Sequence, residues 1–515
     1  MAARQQGLVL SDPEAMKNVS LNHFARVFFV ALIIVMGMFL VWYSTRWGAG
    51  LISDTFQYVS SARSFASGNG FSIPYGDGEL EPMTKYPPMF PIVLSLFEFA
   101  GISALQGARF VNIFLFGVNI PLVFISVRQL TRSYSFSLLA SLLFSISFVL
   151  IEVHSWALSE ALYICLGLCT FLAVGRYFKE LERTWLIAGA LVAASVVLTR
   201  YVGLSLVLAV MIVIFFTGLN IRRKLMDALL FGSVAVLPAA LWTLRGYLLT
   251  STLNDRLIGF HPLTTKNYTS AVDVIFEWFL PPPVVEGNEK LLLLLSGVTL
   301  LAVLIYLSKV KKRHRSRIVN NPVVHNEMIA LHVVYLFTYG ATIIISKTWV
   351  DADIGLSDRI LSPMLVSLLI LLAALLSYLW NNVERTRLAI ALIALGLTAY
   401  YLSGTVMSVP RFHQGGIGIA RRGWSRSEPI QSLRSYSSFS IYTNSNSSLY
   451  LWSDRAGYNI RDFELLKEKG TDKKVLLVIF RNVPPGGERL KRLLDGLELV
   501  EEDQIVSIYA FGPQQ

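Results

Sequence analysis

Long apolar stretches alternate with short polar segments along most of the chain. A helix needs about 20 predominantly apolar residues to cross the hydrocarbon core of a bilayer. The pattern therefore predicts an all-α polytopic membrane bundle of about eleven transmembrane helices. We place these helices at residues 25–44, 108–127, 134–151, 157–175, 185–199, 203–219, 226–248, 290–308, 328–346, 360–379 and 387–407.

One further apolar stretch, residues 89–104, decides the topology, since it is short, contains Pro91 and holds Glu98. If it does not cross, the clusters of Lys and Arg between the spans all face one side, which the positive-inside rule assigns to the cytoplasm. If it crosses, every cluster after the N-terminus moves to the other side. We therefore expect an interfacial segment, a cytoplasmic N-terminus and an extracytoplasmic C-terminus. The clusters are Arg128 and Arg132; Arg176, Lys179 and Arg183; Arg222, Arg223 and Lys224; residues 309–317; and Arg385 with Arg387.

The pattern changes after the last predicted span. Residues 438–443 and 504–511 alternate like strands, 475–481 form a short apolar run, and 486–497 have the period of an amphipathic helix. This predicts a small external α/β domain. The resulting domains are a cytoplasmic tail (1–24), a transmembrane domain (25–408) with external loops at 45–107 and 249–289, a linker (409–437) and the α/β domain (438–515). In the linker, Gly415, Gly416 and Gly418 are spaced too loosely for a phosphate loop and predict flexibility.

Composition supports a membrane protein. Of the 515 residues, 54% are hydrophobic and 15% are charged, whereas soluble domains carry about 25% charged residues. The net charge of +11 comes from short clusters between apolar stretches and not from a basic face with interleaved aromatic residues. Composition therefore predicts a lipid bilayer partner and excludes nucleic acid.

The first external loop carries the leading candidate residues. Asp54 follows the first span directly, at the start of a short helix that Ser53 can cap and that reaches about Ser67. A carboxylate in the first turn also complements the helix dipole, so Asp54 alone has a purely structural explanation. Later in the loop Lys85 and Tyr86 precede two prolines that fix the backbone at the interface.

A second group of acidic and imidazole side chains lies around the fourth predicted span. Glu152 and His154 end the third span externally, and Glu160 lies one turn inside the fourth. A carboxylate below the interface is costly unless it faces protein or water. With Asp54, these three residues supply acid–base groups or ligands for a divalent metal (Mg, Mn or Zn) at one membrane depth. Taken singly, His154 is more simply explained as a surface histidine than as a ligand.

A third element is Arg359, at the external start of a span. The planar guanidinium suits a phosphate, and an interface anchor is the simpler alternative.

In this order, these elements resemble the GT-C superfamily of polyprenyl-phosphate-sugar-dependent glycosyltransferases, and within it the protein mannosyltransferase and aminoarabinose transferase type. The likeness covers residues 25–250 well and the Arg359 segment more loosely. The elements that carry it are Asp54 after span one, Pro87-Pro88 closing the loop, Ser159-Glu160, the turn Thr199-Arg200, and Arg359 to Pro363.

The resemblance implies an inverting transfer from a polyprenyl-phosphate sugar donor to an extracytoplasmic acceptor (lipid, glycan or protein) in the cell membrane. Asp54 and Glu160 would be the catalytic residues. The donor phosphate would be bound by Lys85, Tyr86, Arg200 and Arg359. Asp54, Glu152, His154 and Glu160 would be the second acidic site or hold a metal. Two departures from the family pattern are Thr55, where many relatives have a second acid, and Tyr86, where protein mannosyltransferases tend to have His.

Two other functions remain open from the sequence. A multi-pass transporter would carry ionisable residues near the bilayer midplane and paired repeats, whereas the charges here lie at span ends. A non-catalytic scaffold or sensor would have the same spans and loops. Loss of activity in a folded Asp54→Asn variant distinguishes the enzyme from the scaffold.

Overall fold

The structure is a computed structural model that describes residues 13–251, 259–286, 288, 323–469, 474–481, 483–484 and 487–512. In this part of the chain seven helices are long and apolar enough to cross a membrane. The chain is thus a multi-pass membrane protein. The seven helices are α1 (Pro13–Ser44), α4 (Ala104–Thr131), α7 (Glu160–Glu180), α10 (Ile221–Thr250), α13 (Val323–Trp349), α14 (Asp358–Asn382) and α15 (Arg387–Gly415).

The predicted third span is a broken helix. It consists of α5 (Tyr134–Ser145) and α6 (Phe148–Ser155), which meet at 54° and together would make an eighth span. Ser147 starts the second piece, because its hydroxyl accepts a hydrogen bond from Leu150 N. The hydroxyl of Thr405 donates to Ile146 O at the bend over 2.6 Å. A side chain from another helix therefore satisfies a carbonyl that the broken helix exposes.

The predicted number of eleven spans is matched only in part. The predicted spans at 185–199 and 203–219 correspond to α8 (Arg183–Thr199) and α9 (Leu204–Ile214), joined by a 3-10 turn at Tyr201–Gly203. These two helices have 17 and 11 residues, fewer than the about 20 that a perpendicular span requires. The predicted span at 290–308 and the basic cluster at 309–317 lie outside the described residues.

Burial separates central from peripheral helices. In the most apolar window of α7, 72% of residues are buried inside the protein, against 17% for α1 and α15. Helix α7 therefore lies in the middle of the bundle, while α1 and α15 turn most of their apolar side chains to lipid. A helix that is apolar all round needs this lipid contact or full burial.

The segment between α1 and α4 folds onto one end of the bundle. It contains α2 (Ser53–Ala66), an antiparallel hairpin of β1 (Ser72–Tyr75) and β2 (Glu79–Pro82), and α3 (Met89–Phe99). At 11 residues, α3 is about 16 Å long, half the thickness of the hydrocarbon core. This length agrees with the predicted interfacial segment.

The other end of the bundle collects basic side chains. Asp227 is fully buried at the start of α10, where it accepts hydrogen bonds from Tyr177 and Arg183 at 2.7 Å each. Arg223 Nε lies 3.5 Å from the same carboxylate. The C-terminal end of α7 and the first turns of α8 and α10 therefore meet here, at the opposite end of α7 from Glu160.

The described residues also form smaller helices: α11 (Thr265–Glu277), α12 (Pro282–Val285), a 3-10 turn (Glu384–Thr386), α16 (Arg422–Ser425), α17 (Glu428–Ser432), α18 (Asn446–Ser453), α19 (Ile460–Lys469) and α20 (Gly487–Leu494).

Helices α17, α18, α19 and α20 surround a mixed five-stranded sheet of order β4-β3-β5-β7-β6. Strand β3 pairs in parallel with β4 and β5, and β7 pairs antiparallel with β5 and β6. All six residues of β5 are buried, because both faces of the sheet pack against helices. This sheet fits the predicted α/β architecture near the C-terminus. The strands are β3 (Ser440–Thr443), β4 (Tyr458–Asn459), β5 (Val475–Phe480), β6 (Glu498–Glu502) and β7 (Val506–Phe511).

Candidate active site

A polar cavity of about 410 Å³ opens at the end of the bundle that carries the first loop. Its walls come from the start of α2, the segment before α3, the turn between α8 and α9, the end of α13 and the start of α14. All of the predicted donor-binding residues line it. The main polar lining residues are Ser53, Asp54, Tyr58, Lys85, Tyr86, Arg200, Ser346, Asp351, Asp353 and Arg359.

Asp54 lies in the first turn of α2 and is held on both sides. Tyr86 Oη donates to Oδ1 over 2.8 Å, and Arg359 Nη1 donates to Oδ2 over 2.9 Å. Burial by itself would raise the pKa of this carboxyl, but the charge and hydrogen bond of Arg359, the hydrogen bond of Tyr86 and the charge of Arg200 lower it below its ordinary value. Asp54 is therefore an ionised carboxylate at neutral pH.

The predicted cap of α2 is wrong in one detail. Ser53 is the first helical residue, and Ile52 takes the position before it. The backbone N–H of Ile52 donates to the hydroxyl of Thr55 over 3.2 Å. Thr55, the residue that replaces a second acid of the resembled family, thus has a structural role at the start of this helix.

Glu160 lies behind the arginines and not in the cavity wall. Its side chain is 2% exposed, Arg200 Nη1 lies 2.5 Å from Oε1, and Arg359 Nε lies 3.7 Å from the same oxygen. Arg359 thereby links Asp54 to Glu160. The four groups form a chain of alternating charge, in which a buried carboxylate orients the two guanidinium groups that face the cavity.

Lys85 adds a third cation to the cavity, with Nζ 5.6 Å from the centre of the Tyr86 ring. Lys85, Arg200 and Arg359 come from three different parts of the chain, and only Arg200 and Arg359 are paired with carboxylates of the site. Such a set of cations suits a phosphate group.

Glu152 and His154 do not line this cavity. The prediction that Asp54, Glu152, His154 and Glu160 form one group is therefore wrong. His154 is 1% exposed and lies inside the bundle, where its ring nitrogens contact Asn119 and Leu150 O. Glu152 lies beside Trp156 instead. No three His, Cys, Asp or Glu side chains within the described residues form a group that could hold a metal.

Sequence reasoning missed other lining residues. Tyr58 is one turn after Asp54, and its hydroxyl lies 3.2 Å from that of Ser159 in a buried contact. Its spacing of four from Asp54 on one helix was the available signal. Asp351 and Asp353 line the opposite wall, on a loop that Lys347 folds by donating to Ala352 O and Ile354 O. That fold depends on tertiary contacts and leaves no simple sequence pattern.

Residues 26–254, somewhat under half of the chain, match the model of the dolichyl-phosphate-mannose-protein mannosyltransferase family. The chain also shares the fold of ArnT from Cupriavidus metallidurans. The resemblance to GT-C glycosyltransferases is confirmed. ArnT bound to undecaprenyl phosphate superposes with a TM-score of 0.51 at 15% identity over 95% of this chain and 99% of that chain. Apo ArnT gives 0.52 at 14% identity over 96% and 100%.

A more distant similarity is to the Archaeoglobus fulgidus oligosaccharyltransferase in complex with Zn and sulfate. Its TM-score is 0.33, with 15% identity over 86% of this chain and 56% of that chain. No curated protein sequence matches the chain.

Proposed function

We propose that this protein is a membrane glycosyltransferase that moves a hexosyl or pentosyl group from a polyprenyl-phosphate donor to the hydroxyl of an extracytoplasmic acceptor, with inversion. The observation that carries this proposal is that the Asp54 carboxyl, 2.9 Å from Arg359, shares one cavity with Lys85, Arg200 and Arg359. The shared fold with ArnT, which has been crystallised with undecaprenyl phosphate, supports a lipid-phosphate ligand in that cavity.

The proposed step needs one base and a stabilised leaving group. Asp54 accepts the proton of the acceptor hydroxyl while the hydroxyl oxygen bonds to the anomeric carbon of the sugar. The bond between that carbon and the phosphate oxygen breaks, and the polyprenyl phosphate departs with the bonding electron pair. Arg359, Arg200 and Lys85 stabilise its added charge. Attack from the face opposite the leaving group gives inversion.

In the proposed mechanism the cations Lys85, Arg200 and Arg359, and not a divalent metal, balance the charge of the phosphate. Glu160 acts through Arg200 and Arg359 and keeps them aimed at the phosphate. We expect transfer to continue when a chelator is added to the purified protein. Loss of activity with the chelator and its return with Mg²⁺, Mn²⁺ or Zn²⁺ would contradict this part of the proposal.

We also propose that the end of the bundle with the cavity faces away from the cytoplasm. The basic ends of α7 and α10 lie at the other end, in agreement with the positive-inside rule. In sealed right-side-out vesicles, a membrane-impermeant maleimide should label the Asp495→Cys variant from the outside and the Arg385→Cys variant only after permeabilisation. The reverse pattern would overturn the assignment.

The proposal is tested by incubating the purified protein with a panel of polyprenyl-phosphate sugars, with water in place of the acceptor hydroxyl, and measuring release of free lipid phosphate and free sugar. Turnover of one donor establishes the enzyme and names its sugar. Transport of a donor without cleavage, or no binding of any donor, would support the transporter or the scaffold instead.

The phosphate contact is tested separately by binding of undecaprenyl phosphate. Arg359→Gln removes a charged hydrogen-bond donor, worth about 1.5–3 kcal/mol, and should weaken binding by about tenfold or more. Arg385→Gln, an exposed arginine next to the opposite end of α14, is the matched control. Equal affinities in the two variants would contradict the assigned phosphate site.

A further inference from the structure

Residues 416–420, here called the return segment, follow α15 and pass back to the site. Its glycines predict a flexible linker, yet Ile417 and Ala420 are only 4% and 3% exposed. Gly418 forms a parallel β-bridge with Leu51, and Ile419 N donates to Leu51 O over 2.9 Å. The return segment is therefore packed against the chain that leads into α2.

The chain that leads into α2 also forms hydrogen bonds with a second segment, residues 155–157. Gly50 forms a parallel bridge with Trp156, its N–H donates to Ser155 O over 2.8 Å, and its carbonyl accepts from Ala157 N over 2.8 Å. Residues 50–51 are thus the middle of three short parallel segments. Asp54 lies three residues after Leu51, and Glu160 lies three residues after Ala157. The contact joins the starts of the two helices that carry the acidic residues of the site.

The glycines of the return segment are required by this packing. Gly418 has φ +60°, and a Cβ there would collide with Leu51 O and the ring of Trp156. Gly416 has φ +75°, and its Cβ would collide with Ala420 O. Gly415, by contrast, ends a helix with open space around its Cβ position. Only glycine combines the positive φ with so close an approach of backbone to neighbour.

We propose that the return segment is a positioning element for Asp54, with Gly418 as its positioning residue; this inference rests on the proposed function. The segment acts through Leu51, which fixes where α2 begins. Further along α2, the ring of Phe56 packs on Tyr450, and Arg63 pairs with Asp454 at 2.8 Å. The chain after the last long helix therefore holds α2 at its start and along its length.

This arrangement separates catalysis from lipid binding. A side chain at position 418 collides directly with Leu51, three residues before Asp54. It reaches Arg200 and Arg359 only indirectly, through Trp156 and Glu160, and Lys85 belongs to another segment of the chain. Displacement of a reacting group by about 1 Å can lower a rate by about a hundredfold. The turnover number should therefore fall while the affinity for a polyprenyl phosphate is kept.

The experiment compares full-length wild type, Gly418→Ala, Gly418→Val and the matched control Gly415→Ala. It measures the kcat of sugar transfer and, separately, the Kd of undecaprenyl phosphate. Gly418→Val should lower kcat by at least about tenfold, with a smaller loss for Gly418→Ala, and leave Kd within about threefold. Gly415→Ala should match wild type. A Gly418→Val variant with the kcat of Gly415→Ala would overturn the inference.

Two further measurements keep the inference testable. If Gly418→Val does not fold, Ile417→Ala removes a side chain that packs on Gly50 and should reproduce the loss of kcat; unchanged kcat overturns the inference. If wild type turns over no donor, the proposed function fails instead. Amide hydrogen exchange then decides: residues 52–55 should exchange faster in Gly418→Val than in Gly415→Ala, and equal exchange overturns the inference.

Discussion

Replacement of Glu160 by Gln tests the alternating chain of charges at the site. The Glu160 side chain is 2% exposed and lies 2.5 Å from Arg200 and 3.7 Å from Arg359. Gln keeps the volume but removes the charge, so Arg200 stays in a largely buried position without its counter-ion. Removal of one partner from a buried ion pair lowers the free energy of unfolding by about 3–5 kcal/mol. Loss of a carboxylate at a helix N-terminus adds about 0.3–1 kcal/mol.

Thermal unfolding in detergent measures this effect. The control is Glu384→Gln, since Glu384 is 85% exposed and its pair with Arg387 spans 3.5 Å. An exposed pair contributes about 0–1 kcal/mol, so this variant should melt close to wild type. Glu160→Gln should melt well below it. The double variant Glu160→Gln/Arg200→Gln should regain part of the loss, because no unpaired charge is then left.

Two results would show that Glu160 does not compensate the buried charge of Arg200. The first is a common melting temperature for Glu160→Gln and Glu384→Gln. The second is a double variant whose loss equals the sum of the two single losses, which would mean that Glu160 and Arg200 do not interact.

Three further predictions concern the base, its hydrogen-bond partner Tyr86 and the bent helix. Because the pKa of Asp54 lies below its ordinary value of 3.8, the base stays ionised above that pH, and kcat/KM should fall only at still lower pH; an acidic limb near neutrality would contradict this. Tyr86→Phe removes a hydrogen bond to the carboxylate, worth about 1.5–3 kcal/mol, and should move that limb upward by about one pH unit or more. Thr405→Val leaves Ile146 O at the bend without its partner and should lower the free energy of unfolding by about 1–3 kcal/mol. Thr398→Val on the same helix, where the hydroxyl bonds only within that helix, should melt like wild type.

The sequence predicts which charged residues line the cavity, since they lie near the ends of apolar helices. These residues are Asp54, Lys85, Arg200 and Arg359. A charge at such a depth needs a partner or water, and this restricts where it can lie. That these residues share one cavity depends on how α14 packs beside α2, which no local pattern contains. Their catalytic and binding roles stay predictions.

The sequence fails where the fold redirects a side chain or a backbone. His154 follows a bend at Ile146 that periodicity does not reveal, so a residue expected at the interface is buried between helices. Gly418 belongs to a segment whose composition is typical of linkers, and only its contact with Leu51 shows that it is packed. In the C-terminal sheet, the sequence does not predict β6. This strand lies at the edge of the sheet, and its exposed glutamates lack the apolar alternation of a half-buried strand.

The proposed role of Asp54 is to activate an acceptor in a cavity that binds a polyprenyl phosphate. Release of lipid phosphate at saturating donor from wild type, Asp54→Asn and the exposed control Asp495→Asn decides whether it has this role. Asp54→Asn should lose at least about a hundredfold in kcat while its melting temperature stays near that of wild type, and Asp495→Asn should keep full activity. Turnover of the donor by Asp54→Asn at the wild-type rate would show that Asp54 is not the base.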